Sequence, residues 1–293
     1  MPADTLPLDL RRRFFAEEIE AVARLRTPAL REALATVPRE RFLPPGPWVT
    51  LGDVDLLSPG RHISTPDADP ARVYHNIGIA IDPTRQLFNG QPSTLATWID
   101  ALAPAPGQRV VHIGAGLGYY TAVMAQMVGP RGRVIAYEVD AALAAAAREN
   151  LAIYPWVDVR SDDASSPLDA DFDAMLVNAG VTHPLDSWLD RLLVGGRLLL
   201  PLTSAMPAMG ATIGKGLGWL VTRASAADFT ARVAGIVAVY SAVGLRDERL
   251  SERIGKSMMA GPMKWQSVTR LRRDAHEAGD ACWLHDERFC LSA

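Results

Sequence analysis

Apolar and polar positions recur along this chain with two periods, and each change of period marks an element. Through residues 8–36, Phe14, Phe15, Ile19, Val22 and Leu25 fall near helical spacing with charges between them, which predicts helix. Pro28 suits the first turn of a second helix, "PALREALATV". The prolines of "VPRERFLPPGPW" then end helical structure. Residues 46–92, rich in Pro, Gly and Asp, predict loops and short strands such as "IGIAI".

From residue 93 the two periods alternate regularly. "STLATWIDAL" predicts a helix capped by Ser93 or Thr94. "RVVHIG" is a continuous apolar run of the kind buried in a parallel sheet. "YYTAVMAQMV" predicts a helix, "RVIAYEVD" a strand and "AALAAAARENLAI" a helix. "VDVRSDDA" and "FDAMLVNAG" predict two more strands. "PLDSWLDRLL" predicts a helix with Gly195 and Gly196 at its end, followed by the strand "RLLLPL". Such alternation predicts an α/β fold with a doubly wound, mostly parallel sheet. "LGWLVTRA" and "RVAGIVAVYSAV" predict a hairpin on an antiparallel C-terminal edge. Beyond it, "DERLSERIGKSMM" and the basic "WQSVTRLRRDAHEAG" predict two helices.

Composition narrows the function. The chain has 293 residues, 48% of them hydrophobic, enough for a large α/β domain with appendages. A net charge of −3 argues against a broad nucleic-acid footprint, so no nucleic-acid partner is expected. No window reaches the ~18 apolar residues of a membrane helix, and "MPADTLPLDLRRRFF" has no apolar leader. A cytoplasmic protein without a membrane partner is the expectation. Cys282 and Cys290 are too few for a disulfide framework and lack a CxxC spacing, so they read as reduced thiols. His62, His75, His183, His276 and His285 are scattered without HExxH spacing, and no metal site is expected. His75 and His183 remain candidates for the site, because His183 follows the fourth strand of the alternation, whose end faces the ligand crevice in such sheets. Asn178 lies at that same end.

"GAGLG" sits at a strand-to-helix junction, where glycines let backbone approach a ligand and helix N–H groups point at it. Gly114, Gly116 and Gly118 form G-x-G-x-G, followed by Tyr119, which departs from the G-x-G-x-x-G/A of dinucleotide folds. The tighter spacing is typical of S-adenosylmethionine (SAM) methyltransferases. Glu138 ends the next strand, where a carboxylate can accept both ribose hydroxyls. Asp163 ends the third, near the expected adenine. Ala115, Val139 and Ala164 flank these positions. The expected cofactor is SAM, with S-adenosylhomocysteine as product.

The chain at this point resembles the protein-L-isoaspartate (D-aspartate) O-methyltransferase family. The resemblance runs from about residue 11 to 245 and rests on "LREALATVPRERFLPP", on the segment from "QPSTLATWIDAL" through "VVHIGAGLGYYTAVMA" to "AYEVD", and on "FDAMLVNAGVTHPLDSWLDRLLVGGRLLLPL". It implies a seven-stranded Rossmann-like sheet and methyl transfer from SAM to a peptide carboxylate. The expected organisation is an N-terminal helical and loop region on the substrate side (1–92), the SAM-binding domain (93–246) and, beyond the resemblance, a C-terminal extension packed on it (247–293). Trp283, Leu284, Phe289 and Leu291 are too apolar for a free tail.

Two departures bear on chemistry. The family has a glutamate where this chain has His112; the histidine either packs against backbone or touches cofactor or substrate. The family's Thr-Ile-Ser-Gln-Pro falls on Phe88–Pro92, so Phe88 and Gly90 replace two hydroxyl residues of its substrate site. Asn89 and Gln91, with His112 and His183, are the candidate catalytic residues, and isoaspartyl repair is in doubt. The alternatives are methyl transfer to another peptide or small-molecule nucleophile, or SAM binding with little catalysis. A homodimer is also allowed.

Overall fold

The computed structural model describes residues 6–52, 63–166, 168–205 and 212–293. The chain divides into two compact units. Unit 1 comprises Met1–Gly107, Ala115–Val134 and Ala141–Val159; unit 2 comprises Gln108–Gly114, Ile135–Asp140 and Arg160–Ala293. This division differs from the three consecutive segments expected, because the chain passes between the units within the strand–helix alternation itself.

In unit 1, α1 (Leu8–Ala23) stops at Arg24, which turns left-handed at φ 52°. Pro28 then opens α2 (Pro28–Thr36), where its missing N–H costs no helical bond. Phe15, Ile19, Leu30 and Leu34 are fully buried, whereas Phe14 and Val22 face outward. Residues expected as loops and short strands form a small antiparallel sheet in the order β2-β1-β3-β4. Its strands are β1 (Val49–Leu51), β2 (Ile63–Ser64), β3 (Gly78–Asp82) and β4 (Leu87–Phe88). The helix α3 (Pro92–Leu102) starts two residues earlier than a Ser93 cap would place it and three earlier than a Thr94 cap. Gln91 is its cap residue and makes no side-chain cap bond; Pro92 sets the first turn. The helices α4 (Tyr119–Val128) and α5 (Ala141–Leu151) complete this unit.

Arg39 organises the unit's interior and carries no sequence signal. It is fully buried. Its guanidinium donates to the carbonyls of Val73, His75 and Ile77 at 2.6, 3.0 and 2.7 Å. A buried charge is tolerable when hydrogen bonds replace its water, and here backbone carbonyls do so.

Unit 2 is built on a ten-stranded sheet ordered β13-β14-β12-β11-β10-β9-β8-β5-β6-β7. Seven strands match the expected core: β5 (Arg109–Ile113), β6 (Arg133–Tyr137), β7 (Val157–Arg160), β8 (Phe172–Val177), β9 (Leu192–Ala205), β10 (Ile213–Arg223) and β11 (Phe229–Tyr240). β6 and β7 each straddle the division. β8 pairs in parallel with β5 and β9, while β10 is antiparallel to β9 and β11. The helix α6 (Asp186–Arg191) is shorter than expected. Leu192 already pairs with Phe172, so Gly195 and Gly196 lie within β9 rather than at a helix end.

The C-terminal segment adds three strands, so the β10–β11 hairpin is not the sheet edge. After α7 (Glu248–Met259), capped by the Asp247 side chain, comes the short α8 (Pro262–Gln266). The expected second basic helix is instead β12 (Arg270–Arg272) and a loop. Leu271 faces inward between two arginines, a period of two hidden in a charged run. β12 joins β11 to β14 (Cys290–Ser292), which pairs with β13 (Cys282–His285). Ile254, Leu271, Phe289 and Leu291 belong to the same apolar core as Phe172, Trp188 and Trp219. Trp283 stacks at a tilt on Trp219, with ring centroids 5.0 Å apart.

Candidate active site

Four predicted residues meet where the strands of unit 2 end. Gly114 leaves β5 at φ +79°, and its N–H donates to the Tyr137 carbonyl at 2.9 Å. A Cβ there would stand 3.0 Å from the Asn178 carbonyl oxygen, so only glycine fits without displacing backbone. Asn178 donates its N–H to Ile113 at 2.8 Å and its Nδ2 to the Gly114 carbonyl at 3.4 Å. Glu138 follows β6, is buried, and accepts the Asp140 N–H on Oε1 at 3.1 Å. Its carbonyl accepts the Asp162 N–H at 3.2 Å, tying the ends of β6 and β7 together.

Asp163 follows β7 and is half-buried. Its Oδ1 accepts the Ser165 N–H at 2.9 Å, and hydrogen bonding to Ser165 holds its carboxyl below the usual range. The next residue, Ala164, is buried at φ +58°. A left-handed alanine costs on the order of 1–3 kcal/mol, a strain that tends to persist at functional loops. Gly244 completes the face. A Cβ on it, at φ +76°, would lie 2.6 Å from Asp163 Oδ2. The pattern "SAVGLRD" gives no hint of that approach.

Other predicted residues lie differently. His112 is fully buried in β5, and burial pushes its imidazole down to about 3. It is neutral at pH 7 and far too weakly basic to act as a general base there. Tyr119 turns its ring into unit 1, against Phe42 and Tyr120 at 5.9 and 5.0 Å, so only its backbone remains on the glycine turn. Gly116 and Gly118 hold positive φ in that turn. Ala115 is buried and Val139 is exposed. His183 accepts or donates at Nδ1 with Thr182 Oγ1, 3.0 Å away. Burial, then Arg288, lowers its imidazole below the ordinary value, and Asp247 and Asp286 also face it. It therefore stands beside the C-terminal extension.

Asn89 and Gln91 belong to unit 1, and the Asn89 side chain is already engaged. Asn89 Oδ1 accepts the Ile79 N–H at 2.9 Å and an Arg39 N–H at 3.4 Å. The Gln91 carbonyl accepts the Thr94 N–H at 3.1 Å. His75 is exposed and bonds Arg39 only through its carbonyl. His62 lies outside the described residues. Residues missed in the sequence include Arg39, Gly244 and Arg246, whose guanidinium donates to Gly180 O and Thr203 Oγ1, both at 2.8 Å. Asn76 was missed too; its Oδ1 accepts the Ser93 N–H at 2.9 Å at the start of α3.

A family model for "Protein-L-isoaspartate(D-aspartate) O-methyltransferase (PCMT)" matches residues 55–215. The chain belongs to this family. It is a SAM-dependent methyltransferase with a Rossmann-like fold. A protein-L-isoaspartate O-methyltransferase of Methanopyrus kandleri is 30% identical over 64% of this chain and 74% of its own length. One of Rhodopseudomonas palustris is 34% identical over 66% and 69%. A solved protein-L-isoaspartate O-methyltransferase shares the fold at TM-score 0.60 and 20% identity, over 83% of this chain and 69% of that one. A Plasmodium falciparum structure assigned to the same family, in complex with S-adenosyl-L-homocysteine, aligns at TM-score 0.57 and 16% identity over 79% and 97%. Among the described residues no helix is long and apolar enough to cross a membrane.

Proposed function

We propose that this chain transfers the SAM methyl group to a carboxylate of a protein or peptide, and that the strand-end face of unit 2 holds the cofactor. The observation that carries this reading is the gathering of Gly114, Glu138, Asp163 and Asn178 at neighbouring strand ends, which the bonds from Gly114 to Tyr137, Asp162 to Glu138 and Asn178 to Ile113 and Gly114 tie together. The residues fit the group. Gly114 and Gly244 keep backbone open where a Cβ would press on Asn178 or Asp163. The Glu138 carboxylate suits paired ribose hydroxyls, and Asp163 suits the adenine amine. When bound, SAM supplies an activated methyl on a sulfonium.

The chain's own residues then have to orient an acceptor and exclude water. A carboxylate acceptor is already ionised at neutral pH, so no base is required. That agrees with a neutral, buried His112. His112 cannot supply the negative charge of the family's glutamate, and the first acid that follows the turn along the chain is Glu138. Cys282 and Cys290 form no disulfide, which suits a cytoplasmic location.

Activity on isoaspartyl peptides is expected to be weak. Phe88 supplies no hydroxyl, and losing two hydrogen bonds to a charged group, at about 1.5–3 kcal/mol each, lowers the rate on the order of a thousandfold. Gly90 sits at φ +81° with Leu95 Cδ2 2.8 Å from its would-be Cβ, so serine there is strained and cannot simply restore the missing group. Methyl transfer from labelled SAM, measured on an isoaspartyl peptide beside a cell extract, tests the reading. Label entering proteins of the extract with little transfer to the peptide supports it; efficient wild-type turnover of the peptide removes the argument from Phe88.

A further inference from the structure

Four side chains with metal-binding chemistry converge in the C-terminal extension, beyond the residues that the family model matches. His276 lies in the loop after β12, Cys282 and His285 on β13, and Cys290 on β14. One donor atom from each lies within 4.8 Å of the donors of the other three. Cys282 Sγ is 3.7 Å from His276 Nε2. Around a tetrahedral zinc ion with bonds of about 2.0–2.3 Å, neighbouring donors stand roughly 3.3–3.8 Å apart. The four groups are therefore near bonding positions already.

Local structure explains the convergence. Residues three apart on a regular strand point to opposite faces. The register of β13 slips between Cys282 and Leu284, a bulge that returns Cys282 and His285 to one side. His285 pairs directly with Cys290 across the hairpin. The turn closes through Asp286 N–H to Phe289 O at 2.9 Å. Trp283, Leu284, Phe289 and Leu291 are buried in the core, so three of the four donors ride on an anchored hairpin.

The remaining hydrogen bonds leave the inward atoms for a cation. His276 Nδ1 lies 2.9 Å from the Asp274 carbonyl, which fixes the proton on Nδ1 and leaves the Nε2 lone pair facing Cys282. The Gly279 N–H points at Cys282 Sγ from 3.5 Å, a contact that favours thiolate. His285 Nδ1 is buried and has no hydrogen-bond partner, an arrangement that a metal bond would satisfy.

We propose that His276, Cys282, His285 and Cys290 bind one zinc ion in a closed site that fastens the C-terminal loop to its hairpin. Two sulfurs and two imidazoles suit zinc and exclude magnesium or calcium, which take oxygen ligands. Four protein ligands leave no open position, so the ion is structural. The expectation of two plain thiols and no metal came from spacing alone; H-x5-C-x2-H-x4-C matches no common zinc pattern. The proposal is independent of the methyl-transfer reading.

The test is elemental analysis of the full chain purified with reductant and without chelator, followed by exchange of the ion for Co2+. About one zinc per chain is expected. The cobalt form should show the intense visible bands of a tetrahedral ion and a near-ultraviolet thiolate-to-cobalt band. Cys282→Ser and His285→Asn should each weaken zinc binding by more than the roughly 10–100-fold that loss of a supporting bond to a ligand costs. Asp274→Ala, which keeps the carbonyl that holds His276, should retain the ion. A wild-type chain without zinc, whose titration with Co2+ gives no tetrahedral spectrum, overturns the proposal whether or not the variants fold. So does a Cys282–Cys290 disulfide in protein alkylated at lysis.

Discussion

The strand-end face and the Cys–His cluster both lie in unit 2, yet they are assembled in opposite ways. At the strand ends, Gly114, Glu138, Asp163 and Asn178 come one from each of four successive strands. Regular topology delivers them, and hydrogen bonds between adjacent ends fix their order. In the cluster, three donors come from one short hairpin and a bulge decides which way they face. A site spread over a repeating layout leaves a readable trace in sequence. A site that hangs on one irregular residue does not.

Breaking the first site should have the largest effect. Gly114→Val forces a left-handed β-branched residue against the Asn178 carbonyl. S-adenosylhomocysteine affinity is expected to fall more than about a hundredfold, or ~2.7 kcal/mol, in calorimetry. Unchanged affinity would show that the turn does not form the cofactor site. Glu138→Ala removes one ligand group without moving backbone. It should cost about 1.5–3 kcal/mol of the same affinity, and a smaller loss would mean that the carboxylate serves the protein's own structure, such as the Asp140 N–H.

The buried histidine beside the turn gives a pH signature. The folded value of His112, about 3, lies below the value of ~6.5 in an unfolded chain. Well above pH 6.5 neither state is protonated there. As pH falls below that, only the unfolded chain gains the proton, and stability is lost until the folded group titrates. Between pH 7 and 5 the loss is about 2 kcal/mol. Urea midpoints of wild type and His112→Leu should diverge across this window; parallel curves would show that solvent reaches the imidazole.

The smallest expected change sharpens the comparison. Zinc chelation should lower the melting temperature while leaving S-adenosylhomocysteine affinity within about 0.5 kcal/mol, as for independent sites. A larger change in affinity would couple the cluster to the strand ends.

The hydrophobic pattern made much of the fold legible. Continuous apolar runs marked β5, β6 and β8, and the amphipathic or alanine-rich runs marked α4 and α5, because burial on both faces and burial on one side leave different periods. The glycine turn and the carboxylates Glu138 and Asp163 were legible because their chemistry sits at fixed places in that alternation. Short elements were not. Arg270–Arg272 reads as a basic helix until pairing with β11 and β14 supplies its backbone partners. Gln91, not Ser93, precedes α3 because Pro92 fits its first turn.

Sequence by itself determined the alternation of strands and helices, the glycine turn and the two substituted positions, Phe88 and Gly90. These follow from local periodicity and from residue chemistry at one place in the chain. Tertiary structure alone decided that His112 is buried and neutral, that Tyr119 turns into unit 1, and that His183 faces Asp247 and Arg288. It also brought His276 to Cys282, His285 and Cys290. The physical reason is shared. Burial, proton affinity and donor geometry depend on what packs from distant segments, and a bulge of one residue reverses the face a side chain occupies without changing the pattern that encodes the strand.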